Sequence, residues 1–323
     1  FQAEDGIRDI SVWLEFRRVL FRSHLGWQAV FLLNTVLGLT LTAMMVLRVP
    51  GEWAEAKGER FDALGSLLYC IGILSLVLGL SHLPAAWALG LIVLSAVSFV
   101  VFVRWERRQQ HPVLDIRLFE GNPAFVLSIL TALANYSATF AVSLLLSLYL
   151  QYIGALSAGE AGLILLTQPV TMVVCSLIAG RLADRLPPAR VASVGMALTS
   201  LGLAMLAFSG DPVSPRWVQA SLVVLGAGFG FFSTPNTHAV MGAVPRKFIG
   251  VAAGTLSTMR LTGQALSLGI VLFLFSIYIG RATVNAENHA AFVTATRIAF
   301  SVFACLSFSG IFTSMARGRR AAG

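Results

Sequence analysis

Gly180-Arg181-Leu182-Ala183-Asp184-Arg185-Leu186 is a short charged turn between two long apolar runs. Residues 161–179 before it and 191–209 after it contain no charged side chain. Each flank has the length that a helix needs to cross a bilayer, about 20 mostly apolar residues. Working outward from the turn, the chain holds nine such runs, at about 26–47, 63–83, 85–103, 124–150, 160–180, 190–209, 217–240, 250–279 and 291–315. Across 323 residues, 57% are hydrophobic and 12% charged, with mean hydropathy +0.80. A soluble domain carries about a quarter charged residues, and one large buried core does not explain repeated runs of membrane length. The pattern predicts an all-α, polytopic helical membrane protein with nine spans. A β-barrel would instead show alternating segments of about 10 residues.

The charge is distributed unevenly. Residues 1–23 hold 8 charged residues, against 30 in the other 300, and the composition breaks at His24. Residues 1–9 and 14–23 resemble translated sequencing-adapter oligonucleotides. We therefore set 1–23 aside as non-native and expect a longer gene whose upstream spans are absent here. An amphipathic cytoplasmic helix is the competing reading. From His24 on, placing the C-terminal tail in the cytoplasm and alternating backwards puts fifteen basic residues on the cytoplasmic side, from Arg48 to Arg320. Only Arg216 and Arg281 fall outside. That partition follows the positive-inside rule and makes the net charge of +8 a matter of membrane orientation rather than of nucleic acid. Cys70, Cys175 and Cys305 all lie within spans and share no metal-like spacing, so they read as packing residues. No nucleotide loop, metal cluster or catalytic set stands out, and no cofactor is implied.

Several polar residues lie within the apolar runs. Arg260 sits about ten residues into its run, ~15 Å from the start at 1.5 Å per residue. An arginine at that depth costs at least ~2.5 kcal/mol unless it faces protein or a wet cavity. Ser257, Arg260, Gln264 and Ser267 share one helix face; the face either lines a transport path or braces neighbouring helices, and for the serines bracing is favoured. Ser128, Thr131, Asn135 and Thr139 form a similar stripe. Pro235 beside Asn236, and Pro169 beside Gln168, can interrupt their helices and free carbonyls. For each of these taken alone, packing outweighs solute contact. Arg297 can snorkel to an interface, His238 reads as a packing histidine, and Gly226/Gly230 and Gly250/Gly254 read as small-residue packing faces. All eleven acidic residues after 23 lie in loops or at span ends, so the spans offer no mid-membrane carboxylate for proton coupling.

The turn itself resembles the loop G-x-L-a-D-R-x-G-R-R/K of the major facilitator superfamily, in its weaker second-half form. Pro187 replaces the second glycine and the trailing basic residue is displaced to Arg190. Leu148-Tyr149-Leu150-Gln151 with Gly154 and Ala161-Gly162-Leu163, Trp27 to Asn34, and Val244-Pro245 with Gly250, Gly254, Arg260 and Gly263 resemble further stretches of the fourteen-span drug:proton antiporter branch. The resemblance runs from about 26 to 316. It implies that 24–47 is the last span of an N-terminal bundle, 48–122 two linking spans with their linkers, 123–316 a six-span bundle and 317–323 a basic tail. It further implies a secondary transporter of the prokaryotic inner membrane that exports drug-like compounds against protons and needs its N-terminal half. Gly180, Arg181, Asp184, Arg185 and Arg190 would form a cytoplasmic gating loop; Asn135, Gln168, Asn236, Arg260 and Gln264 would approach the path of a small-molecule substrate. A carrier for another solute, or a membrane-embedded enzyme with no visible catalytic cluster, is the alternative.

Overall fold

The structure is a computed structural model that describes residues 28–48, 62–83, 85–109, 112, 119–210, 214–280 and 289–320. The expected composition break at residues 23–24 lies outside them. The chain divides into two compact units, residues 1–58 and 59–323. In the first, the described residues form α1 (Gln28–Arg48), which ends on a basic residue at the negative pole of its dipole.

The second unit contains α2 (Ala63–Ser81), α3 (Ala86–Glu106), α4 (Pro123–Thr139), α5 (Val142–Leu148), α6 (Ala158–Leu165), α7 (Thr167–Ala183), α8 (Pro188–Ala207), α9 (Pro215–Gly242), α10 (Ile249–Tyr278) and α11 (His289–Arg320). Among the described residues there is no strand, and eight helical segments are long and apolar enough to cross a membrane. The polytopic helical architecture read from the sequence is therefore present; α1, whose apolar part is the shorter stretch Thr35–Arg48, makes the ninth run.

Starts and stops follow local chemistry. Asp62, Asn122, Ser157 and Ser214 each accept a backbone N–H at the start of a helix, and Ser157 forms a full capping box with Glu160. Asn122 also donates Nδ2 to Ala243 O (2.6 Å), tying the start of α4 to the end of α9.

Helices α2 and α3 make a hairpin whose polar groups close on each other. Ser95 Oγ donates to Gly72 O and Ser98 Oγ to Leu68 O, both at 2.7 Å, and Trp105 Nε1 donates to the two carboxylate oxygens of Asp62 at 3.1 and 3.0 Å. The hairpin rests on α10 where Leu80 covers Gly269.

In the remaining helices, α9 packs against both α7 and α8, α8 against α11, and α4 against α10 and α11. Glycines set the closest approaches. Gly226 and Gly230 of α9 face the backbone of α7 at Gln168 and Met172, as a small-xxx-small face should. Gly195 of α8 lies against the backbone of α9 at Gly228 and Phe232. Serines lace α8 to α11: Ser193 Oγ donates to Ser314 Oγ (2.8 Å), and Ser307 Oγ to Met196 O (3.2 Å). The other small-residue face behaves differently from expectation, since Gly250 and Gly254 have nothing within 4 Å of a notional Cβ.

One expectation about helix breaks is reversed. Pro235 lies inside α9 without interrupting it. The first span of the group, 123–153, is interrupted at Phe140–Ala141, where the sequence has no proline, and ends in a π-helical turn, Tyr149–Ile153. The freed Ala141 N–H donates to Ser267 Oγ of α10 at 3.0 Å. The second span does break near its proline, at Leu166, three residues ahead of Pro169.

Candidate functional site

The charged turn closes α7 onto α8. Leu186 N donates to Leu182 O (2.8 Å) and Asp184 N to Gly180 O (3.3 Å), so two of the last four helical carbonyls are satisfied within the turn. Pro187 then stops α7, and Pro188 starts α8 at a position where a missing N–H costs nothing. Arg181, Asp184, Arg185 and Arg190 are all exposed. The carboxylate of Asp184 forms no ion pair with any of them, whereas elsewhere Arg107 and Glu120 pair at 3.0 Å. Gly180 has nothing within 4 Å of a notional Cβ. One acid and three bases thus stand in solvent with unused hydrogen-bonding capacity.

A second group forms where α4 crosses α10. Gly263 lets the helices meet: a Cβ there would lie 2.9 Å from Tyr136 Cβ and 3.0 Å from Leu133 O and Ser137 N. One turn earlier on α10, the Arg260 guanidinium lies 5.0 Å from the centre of the Tyr136 ring, within cation–π range. Tyr136 in turn meets Phe229 of α9 edge-on at 5.6 Å. Arg260 is exposed and Gln264 half-buried, whereas Ser267 at the far end of the same stripe is fully buried on Ala141. The stripe is therefore divided: an open cation at one end and an interhelical brace at the other.

Asn135 is the odd member of the α4 stripe. Ser128, Thr131 and Thr139 return their hydroxyls to carbonyls one turn back. Asn135 is 0% exposed, and neither Nδ2 nor Oδ1 has a partner. Leaving such groups unmade costs about 1–3 kcal/mol each.

The other expected path residues do not join this group. Gln168 belongs to the α7–α9 crossing at Gly226, and Asn236 is buried within α9. His238 is exposed rather than packed. Arg297 does not simply snorkel; it donates Nη2 to Ser209 O at 2.7 Å. The Asp62–Trp105 clamp and the Ser267–Ala141 bond were not legible in sequence, because each joins distant residues through groups that are common everywhere in the chain. Among the described residues no three His, Cys, Asp or Glu side chains could hold a metal.

Residues 18–268 match the profile of the Major Facilitator Superfamily. An uncharacterized transporter of Escherichia coli K12, YebQ, is 28% identical over 288 residues, which cover 87% of this chain and 61% of YebQ. The multidrug resistance protein Stp of Mycobacterium tuberculosis is 26% identical, covering 84% of this chain and 52% of Stp. The chain thus spans between half and two thirds of the length of these relatives. A crystal structure of a point mutant of the nucleoside transporter NupG aligns over 86% of both chains with TM-score 0.51 at 15% identity, a likeness of fold.

Proposed function

The chain belongs to the Major Facilitator Superfamily, and from that membership we propose that it is part of a secondary transporter exporting drug-like or lipophilic compounds by alternating access. The observation that carries the reading is Arg260. It is exposed, near the middle of a 30-residue membrane-length helix, and held only at one side by the Tyr136 ring. A guanidinium in that place is costly against lipid tails. The α4–α10 face is stable when turned to a wet cavity between this bundle and another. The share of each relative that the chain leaves uncovered is long enough to supply one. The name of Stp favours lipophilic drugs as cargo. The basic-residue partition favours a cytoplasmic C-terminus, and the bacterial source of the relatives favours a prokaryotic inner membrane. Coupling to protons then takes its mid-membrane carboxylate from outside the described spans, whose acidic residues, Glu106 and Glu160, stand at span ends.

In this arrangement the exposed turn acts as a cytoplasmic latch. Asp184, Arg181, Arg185 and Arg190 remain unpaired here because their partners are helix ends of the other bundle, reached in one access state only. The test is efflux from everted vesicles holding the full-length transporter. Asp184→Asn and Arg260→Gln are expected to lower drug export while leaving membrane insertion intact. Normal export by Asp184→Asn removes the latch; normal export by Arg260→Gln removes the cavity reading.

A further inference from the structure

At the end of the bundle far from the Gly180–Arg190 turn lies a small, partly open space between α5, α8, α9 and α11. Leu146, Leu206, Val218 and Phe300 wall it with hydrocarbon, and Thr296 and Arg297 enter from α11. Both bring a buried polar atom without a partner: Thr296 Oγ1, on a residue 4% exposed, and Arg297 Nε. The Thr296 hydroxyl departs from the habit of this chain. Ser128, Thr131, Thr139, Thr199 and Thr255 all hand their hydroxyl proton to the carbonyl four residues back, but Thr296 lines the cavity and makes no such bond. The guanidinium is anchored by a neutral carbonyl, Ser209 O, and has no carboxylate within 4 Å among the described residues.

Arg297 Nε–H can only donate and the Thr296 hydroxyl is free to donate, so the pair lacks an acceptor. A cation walled by hydrocarbon is stable only when paired or hydrogen-bonded. The interior of the space admits about one water molecule or a single-atom ion, too little to take in a carboxylate or phosphate whole. Charge then separates the two remaining guests: a water would satisfy the donors but leave the cation uncompensated, whereas an anion accepts from both donors and pairs the charge. We propose that this end of the bundle carries a binding site for a chloride-sized anion, held between Arg297 Nε–H and the Thr296 hydroxyl. The first wall residue after α5, Tyr149, opens the π-helical turn, a local irregularity that often accompanies binding sites.

The test is thermal unfolding of the purified full-length protein in sodium chloride or bromide, against sodium gluconate at equal ionic strength. Halide at about ten times its dissociation constant stabilises by about 1.4 kcal/mol and, for a protein of this length or more, is expected to raise Tm by about 1–2 °C. Thr296→Val should abolish that rise. In gluconate the variant should be at least as stable as the parent, because it removes a hydroxyl that has no partner there. Bromide-soaked crystals of the unsubstituted protein should show an anomalous peak between the two donors. Equal Tm in halide and gluconate, an undiminished halide response in Thr296→Val, or an ordered water in place of bromide would each overturn the site.

Discussion

Gly195→Ala places a methyl group where α8 and α9 lie closest. An ideal Cβ would sit 2.5 Å from Phe232 N, 2.7 Å from Gly228 O and 2.8 Å from Phe231 C. All three are backbone atoms, so no side chain can rotate away and the helices must part by roughly 0.5–1 Å, which forfeits about a quarter to a half of the dispersion attraction between facing atoms. Overpacking of this kind costs about 1–3 kcal/mol. Alanine returns about 1 kcal/mol of helix propensity. With three backbone contacts under 3.0 Å at once, the cost falls in the upper part of the overpacking range, so the net expectation is a loss of about 1–2 kcal/mol and, for a chain of this length, a Tm lowered by roughly 1–3 °C. Gly254→Ala is the internal control: it receives the same propensity gain with nothing within 4 Å to meet its methyl, so its Tm should hold or rise. Both are read by tryptophan fluorescence during thermal unfolding in one detergent. If Gly195→Ala is as stable as the parent, or if both variants shift together, the close-approach argument fails.

Ser267→Ala should strand the Ala141 N–H at the break in the first span, costing about 1–3 kcal/mol; faster hydrogen exchange at residue 141 than at its helical neighbours checks it. Asn135→Leu should raise Tm, because it replaces a buried amide with two unmet groups by hydrocarbon, while drug export falls if Asn135 is paired in another access state. A lower Tm for Asn135→Leu would mean that the amide is satisfied after all.

Length, polarity and periodicity made the helices readable, because lipid demands them in every span independently. The Gly226/Gly230 face was readable for the same reason: close helix crossings need small residues wherever they occur. What escaped the sequence depends on a partner. Proline chemistry pointed to Pro235 as a break, yet α9 runs through it, while the break at Ala141 has no signal of its own because its acceptor is Ser267, 126 residues away. Arg260 was conspicuous as a charge, but its seat on Tyr136 depends on Gly263 bringing α4 against α10. Gly250 and Gly254 carry the same spacing as Gly226 and Gly230 and pack against nothing here, so spacing names a capacity and geometry decides its use. Likewise Thr296 is one threonine among many until its missing carbonyl bond singles it out.

The α2–α3 hairpin has a consequence for the order in which the molecule is made. Its serine, tryptophan and aspartate groups find their partners within the hairpin, so it can leave the insertion machinery as a finished unit. The surface it finally rests against, Gly269 beneath Leu80, is synthesised about 190 residues later, a delay of roughly 10–40 s at ordinary translation rates. For that interval the hairpin waits in lipid with its docking side uncovered. Damage at Leu80 should therefore appear as slow late assembly, with insertion itself proceeding on time.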